Sequence, residues 1–213
     1  MTPIRDPVAF CDTVRQRLAC CPTVEADPRP EIRVDPEGLQ EAAVLMPLVR
    51  RHGALNVLLT RRSESLSSHA GQISFPGGRL ASRIETPLDA ALRESQEEVG
   101  LEPRRVEVLG RMAQYPTVTG FIIHPFVGYV DDPGRLRPQP SEVAEIFEVP
   151  LSFFLDERNH KPHEIEYEGC NYRLHAMPYG DYYIWGVTAA LLRAFYQHLR
   201  GEPADNGQGT QHV

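Results

Sequence analysis

The sequence predicts an α/β sandwich, and three observations carry that expectation. Short apolar, β-branched runs recur between Ala42 and Ala176. Helical segments with apolar faces stand among and after them, at 87–99 and 183–199. The chain has 213 residues, enough to bury a sizeable core without staples. Strands interspersed with a few helices build layered α/β folds.

The elements follow in order. Residues 5–19 carry Val8, Cys11, Val14 and Leu18 at helical spacing. Residues 22–37 are rich in proline and acid and read as an irregular connection. Ala42–Val49 and Asn56–Thr60 read as strands joined by a turn at His52–Gly53. Arg61–Gly78 shows no period and is long for an idle loop, which marks it as functional or disordered. Residues 87–99 form the clearest helix: Thr86 suits the N-cap, Pro87 the first helical position, Asp89 the first turn, and Gly100 the stop. Val106–Gln114 and Ile122–Val130 read as strands around a turn near Thr119–Gly120, and Val143–Val149 as extended. Leu151–Leu155 reads as a short helix, and Glu164–Tyr167 with Tyr172–Ala176 as a hairpin across Gly169. A helix over 183–199 places Trp185, Ala189, Leu192 and Tyr196 on one face. The organisation expected is an extension at 1–38, a domain at 39–200 and a polar, disordered tail at 201–213.

Composition excludes several classes of function. A formal net charge of −7 argues against a nucleic-acid binder. No apolar run approaches the roughly 20 residues of a membrane-spanning helix, and the first residues lack the apolar stretch of a signal peptide. The expectation is a soluble, cytoplasmic protein with a small-molecule substrate. The cysteines are Cys11, Cys20, Cys21 and Cys170; two are adjacent and none forms a CxxC pair, so neither a disulfide framework nor a zinc site is expected.

The chemistry concentrates on the helix at 87–99. At about 100° per residue, Glu94 and Glu98 stand one turn apart on one face with Glu97 beside them. Ala90 and Ala91 precede them on that face and read as room for a ligand; Leu88, Leu92, Ser95 and Val99 lie opposite as the packing face. Carboxylates at this density repel one another, and a hard divalent cation such as Mg²⁺ or Mn²⁺ removes the penalty. From the helix alone a solvated acidic face remains an equal reading, with Arg93 pairing Glu97 one turn on.

The surrounding pattern decides between them. Gly77–Leu101 reads GGRLASRIETPLDAALRESQEEVGL. It resembles the Nudix box, G-x5-E-x7-R-E-U-x-E-E-x-G-U with U apolar, through Glu85, Arg93, Glu94, Glu97, Glu98, Gly100 and Leu101. Two departures stand out: Gly78 lies one residue further from Glu85 than the pattern has it, and Ser95 fills an apolar position. The preceding Leu58–Gly78, LLTRRSESLSSHAGQISFPGG, resembles the signature of the coenzyme A diphosphatase group. Leu58, Leu59, Thr60, Arg62, Ser63, Gly71, Phe75, Pro76, Gly77 and Gly78 fit, and Ser67 stands where an arginine is expected. The likeness spans about residues 40–195.

The resemblance implies a Nudix α/β/α sandwich with a mixed central β-sheet. It implies metal-dependent hydrolysis of coenzyme A or acyl-CoA to 3′,5′-ADP and (acyl-)4′-phosphopantetheine, with Mg²⁺ or Mn²⁺. Glu94 and Glu98 would bind metal, with Glu97 a further ligand; Arg93 would orient Glu94, and Glu85 would support the loop. The general base is Glu94 or a glutamate outside the box, Glu142 or Glu145. Arg61, Arg62, Ser63, Gly77, Gly78 and Arg79 would meet the substrate, and the arginines offer forked donors to phosphate. One alternative is a Nudix hydrolase of another nucleoside diphosphate derivative such as ADP-ribose or NADH. Another is a catalytically silent, nucleotide-binding Nudix module, which would be expected to lose its metal carboxylates.

Overall fold

The structure, a computed structural model, describes residues 6–20, 39–66, 68–117, 119–167 and 170–201. Ser67, Gly169, the connection at 22–37 and the tail beyond Gly201 lie outside them.

Alternating apolar residues organise the main sheet. β1 (Gln40–Arg51) and β2 (Ala54–Arg62) form an antiparallel pair across the two-residue turn His52–Gly53. On its other edge β1 pairs in parallel with β7 (Phe121–Val130), and β7 pairs with β5 (Glu107–Arg111) and with the short β6 (Tyr115–Pro116). β8 (Val143–Pro150) pairs with the outer edge of β2. The sheet is therefore mixed, with parallel and antiparallel neighbours about one central strand.

β1 and β2 part at one end, and the segment that looked aperiodic enters the gap. β3 (Ile73–Ser74) takes β1's place beside Thr60 and Arg61, while β4 (Gly77–Arg79) takes β2's place beside Ala42, Ala43 and Val44. Phe75 between them is buried in the core, and the Leu45 N–H donates to the Pro76 carbonyl at 3.0 Å. The Thr188 hydroxyl donates to the Ile73 carbonyl at 2.9 Å and ties the insert to the last helix.

Each face of the sheet is covered. On one face, Ala43, Leu45, Val49, Leu58, Phe126 and Val130 meet α2 (Pro87–Val99) through Ala90, Ala91 and Val99. On the other, Met46, Leu48, Val57, Leu59 and Val127 meet α1 (Pro7–Ala19) and α4 (Gly186–Arg200). A second sheet packs on that side, built from β9 (Lys161–Tyr167), β10 (Cys170–Tyr179) and β11 (Tyr182–Trp185), with Met177 and Ile184 buried. The short α3 (Leu151–Phe154) follows β8. These layers make the α/β/α sandwich. α1 seats Cys11, Val14 and Leu18 in the same core, so the helix of the N-terminal extension covers the sheet.

Two expectations are corrected. The closing helix starts at Gly186, not Tyr183; Tyr182–Trp185 is a strand paired with Ala176–Tyr179. Trp185 therefore sits at the helix entrance and does not share the helical face of Ala189, Leu192 and Tyr196, which are buried. Ala90 and Ala91 leave no room for a ligand: both are fully buried against the sheet, and it is Leu88 and Leu92 that lie partly exposed. Small side chains let the helix axis approach β1, so the contact centres on Ala90, Ala91, Ser95 and Val99, with Leu88 and Leu92 packed at its margin. The Ser95 hydroxyl is satisfied within the helix by donating to the Ala91 carbonyl at 2.6 Å.

No helix among the described residues is long and apolar enough to cross a membrane.

Candidate active site

α2 holds its carboxylates in place because both of its ends are fixed. The Thr86 hydroxyl oxygen accepts from the Asp89 N–H at 3.2 Å, and Pro87 opens the first turn. Gly100 adopts φ 73°, its N–H donates to the Gln96 carbonyl, and the Leu101 N–H donates to the Ser95 carbonyl.

The close approach of helix to sheet draws Glu98 inward until it is 3% exposed. Its Oε2 accepts from the Gly77 N–H at 3.0 Å, and its Oε1 lies 3.9 Å from Arg62 Nη1. Glu94 is half-buried one turn earlier over Gly78, where a Cβ would meet its carboxylate at 2.5 Å. A Cβ at Gly77 would meet the Ala43 carbonyl at 2.3 Å, and its φ of 156° is one that other residues rarely adopt. The paired glycines thus make the space in which the two glutamates lie.

A third carboxylate arrives from outside the helix. Glu142, at the head of β8, comes within 4.8 Å of both Glu94 and Glu98, oxygen to oxygen. The Gln139 N–H donates to the Glu98 carbonyl at 2.9 Å, the Arg137 N–H donates to the Val99 carbonyl, and the Glu142 N–H donates to the Gln139 carbonyl. These bonds clamp the loop before β8 onto the end of α2 and aim Glu142 at the pair.

Arg93 is the hub beside this trio. Its Nε donates to Glu85 Oε1 at 2.8 Å, its Nη1 to Glu94 Oε1 at 2.8 Å and Glu97 Oε2 at 3.1 Å, and its Nη2 to the Arg79 carbonyl at 3.2 Å. Glu85 also accepts from the Ala81 N–H and so braces the loop between β4 and α2. Hydrogen bonding to Arg93 and Ala81 holds the Glu85 carboxyl below its ordinary range.

The remaining sequence-selected residues divide between two faces. Glu97 is 60% exposed at its side chain and stands outside the trio, bound to Arg93. Arg61 lies 3.1 Å from Glu145, whose carboxylate also accepts from the Tyr182 hydroxyl at 2.7 Å. Tyr182 in turn stacks on Phe147 at 3.8 Å, on the side of the second sheet. Adjacent residues of a strand point to opposite faces, so Arg62 joins the trio and Arg61 does not. Glu145 is separated from Glu142, which precedes β8. The Ser63 N–H donates to the Glu142 carbonyl at 2.8 Å, and Arg79 lies over the Phe121 ring at 5.0 Å. His69 is exposed and bonds Gln72. Sequence reading gave Glu142 only as a candidate base; its place in the trio had no signal in the box, because it depends on the register of β8.

The electrostatics favour a cation. Burial first, with Glu94 and Glu142 adding, pushes the Glu98 carboxyl up to about 7, against the opposing effects of the Gly77 N–H and Arg62. Burial also raises the Glu94 carboxyl, although Arg93 offsets part of it. Three converging carboxylate oxygens, one desolvated and all mutually repelling, fit a hard divalent ion with oxygen preference. Among the described residues this is the group of acidic, histidine and cysteine side chains that could hold a metal ion.

Comparison with known proteins identifies the family. The NUDIX domain model matches residues 39–167. The chain belongs to the Nudix family. It is 40% identical over 165 residues to a Citrobacter koseri protein named as an uncharacterized Nudix hydrolase, NudL, covering 78% of this chain and 85% of that one. A Shigella flexneri NudL of the same description is 39% identical over 175 residues, 82% of this chain and 91% of the relative. A Deinococcus radiodurans protein of known crystal structure superposes with a TM-score of 0.51 at 17% identity, covering 77% of this chain and 89% of that one, which is a likeness of fold. This chain is a Nudix hydrolase.

Proposed function

We propose that this Nudix hydrolase cleaves the diphosphate linkage of coenzyme A or acyl-CoA, giving 3′,5′-ADP and (acyl-)4′-phosphopantetheine. The observation that carries the reaction is the convergence of Glu94, Glu98 and Glu142 beside the Gly77–Gly78 backbone. The substrate is supported by the coenzyme A-type segment at 58–78, whose Arg62 reaches the trio.

Glu94, Glu98 and Glu142 would hold Mg²⁺ or Mn²⁺. Such an ion neutralises the diphosphate and makes a bound water more acidic. Arg93 fixes Glu94, and the Gly77 N–H fixes Glu98, so neither carboxylate has to reorganise when substrate arrives. The Arg62 side chain is 25% exposed, and its guanidinium beside Glu98 offers donors to a phosphate oxygen. Water attacks one phosphorus, its bond to the bridging oxygen breaks, and two phosphomonoesters leave. The proton from water passes to a carboxylate of the trio. Glu142 is exposed and stands at the rim, placed to return it to solvent.

The test is incubation of the protein with coenzyme A and Mg²⁺ or Mn²⁺, beside ADP-ribose and NADH, with products identified by mass. Formation of 3′,5′-ADP and 4′-phosphopantetheine faster than any ADP-ribose product supports the reading. Cleavage of ADP-ribose or NADH alone overturns the substrate assignment, and no cleavage of any overturns the enzymatic one.

A further inference from the structure

β8 is an edge strand. It pairs with β2, and among the described residues no strand pairs with its other side. Every second residue of such a strand presents an N–H and a C=O to the open edge. Beside it lies an open groove of about 590 Å³, walled by Leu136 and Pro138 on the preceding loop and floored by the β8 residues from Ala144 to Glu148.

The groove lies on the α2 side of the sheet, where Leu136 and Ile146 pack against the same core as α2, and its lining along β8 begins at Ala144, two residues beyond Glu142. Glu142 immediately precedes β8; the register with β2 shifts between Val143 and Glu145, and from there Ala144, Ile146 and Glu148 alternate along one face. From Glu142 to Ile146 the chain advances about 13 Å at 3.3 Å per residue. Whatever leaves a diphosphate held by the trio in this direction must lie along the open edge.

The lining restricts the chemistry of that arm. Leu136, Pro138, Ala144 and Ile146 are apolar. Glu148 is matched by Arg51 at 2.6 Å and by Asn56 at 3.1 Å, and Glu145 by Arg61. The lining therefore offers no unmatched cation to a phosphate. It suits an uncharged, extended chain that also carries amides, because amides can pair with a strand edge as an added strand does.

We infer that the groove along β8 receives the amide-bearing, non-nucleotide arm of the substrate, and that the free N–H and C=O groups between Ala144 and Glu148 bind one or both of its amides. This rests on the coenzyme A reading above. That arm holds two secondary amides and is about as long as four extended residues, about 14 Å. The nucleotide arm is left to the Arg62 side of the trio.

The experiment has three readouts. Turnover of coenzyme A by the unaltered protein comes first. Backbone hydrogen exchange over 143–149 is then followed with and without 4′-phosphopantetheine and Mg²⁺. Finally, Ala144→Trp, a substitution at an exposed position, fills the groove. Slowed exchange confined to β8 is expected, with KM for coenzyme A raised about tenfold in the variant and kcat little changed, as for loss of ground-state contacts. Cleavage of coenzyme A with unchanged exchange and an unchanged KM overturns the groove and leaves the proposed function standing. Failure to cleave coenzyme A overturns both. Protection of β8 before any addition, in a particle with the mass of two chains, gives the edge to a second copy and overturns the inference.

Discussion

The Gly77 N–H donates to Glu98 Oε2 at 3.0 Å, so a backbone group from the wedge between β1 and β2 fixes the most buried carboxylate of α2. Glu98→Gln keeps the side chain's shape while removing its charge. Turnover with Mg²⁺ is expected to fall at least about 100-fold, because removing a ligand should cost no less than removing the groups that orient one. The far-ultraviolet spectrum should be unchanged. Normal turnover in this variant removes Glu98 from the mechanism.

The same carboxylate sets a pH dependence in metal-free protein. Its folded pKa, about 7, is raised above the ordinary 4.5. A raised folded pKa means that the native state binds the proton more tightly than the unfolded chain. The associated stability is complete below about pH 4.5 and lost as pH rises through about 7. Urea unfolding in EDTA should show wild type losing about 3 kcal/mol relative to Glu98→Gln across that window. Mg²⁺ or Mn²⁺ should restore wild type above pH 7 by binding the native state. A wild-type stability that holds level or rises with pH relative to Glu98→Gln in EDTA contradicts the desolvated carboxyl.

The two glycines of the wedge should fail in different ways. At Gly78 a Cβ meets the far end of the Glu94 side chain, which can swing aside. Gly78→Ala should therefore fold nearly as well as wild type yet lose about 100-fold in kcat, the scale of a 1 Å misplacement. At Gly77 a Cβ meets the backbone of Ala43 and Val44, which cannot yield. Gly77→Ala should lose about 3 kcal/mol of stability. Thermal melts beside kinetics separate the two, and equal stability in both variants contradicts the geometry.

Arg93 spans Glu85, Glu94, Glu97 and the Arg79 carbonyl with one planar fork. A lysine carries the charge but not the fork. Arg93→Lys is expected to lose about 10- to 100-fold in metal affinity or activity. Isothermal titration with Mn²⁺ would measure it, and wild-type affinity in the lysine variant would mean that charge alone suffices.

Glu142 and Glu145 offer a direct comparison. Glu142→Gln should weaken metal binding and turnover by at least about tenfold, while Glu145→Gln, on the face of Arg61 and Tyr182, should leave Mn²⁺ affinity unchanged. The reverse order would place the catalytic carboxylate on the wrong side of β8.

Much of this could be read from the chain. α2 was legible to the residue because Thr86, Pro87 and Gly100 each act locally, and β1 and β2 because their apolar runs are long. The 183–185 stretch was read as helix because so short an apolar run has too few positions to separate a period of 2 from one of 3.6. β3 and β4 are too short for any period. The alanines of α2 were misread because burial depends on what faces the helix, and the sheet that faces it is not local. The division of Arg61 from Arg62 was latent in the sequence, whereas that of Glu145 from Glu142 was not, because Glu142 precedes β8 and the register shifts between them. Once a strand is assigned, an odd spacing puts two side chains on opposite faces. What no local rule supplies is that the head of β8 meets the end of α2.

The parallel pairing of β1 with β7 also governs how the molecule is made. Gln40 has Phe121 as its partner, so β1 emerges from the ribosome long before its neighbour. Contacts so far apart in the chain slow folding. Until residue 130 has been synthesised, the nascent chain carries an apolar strand with one edge bare, a hazard for association with other chains. The helix bearing the carboxylates is translated within that interval, so the enzyme gains a supported catalytic helix only after β7 closes the sheet beneath it.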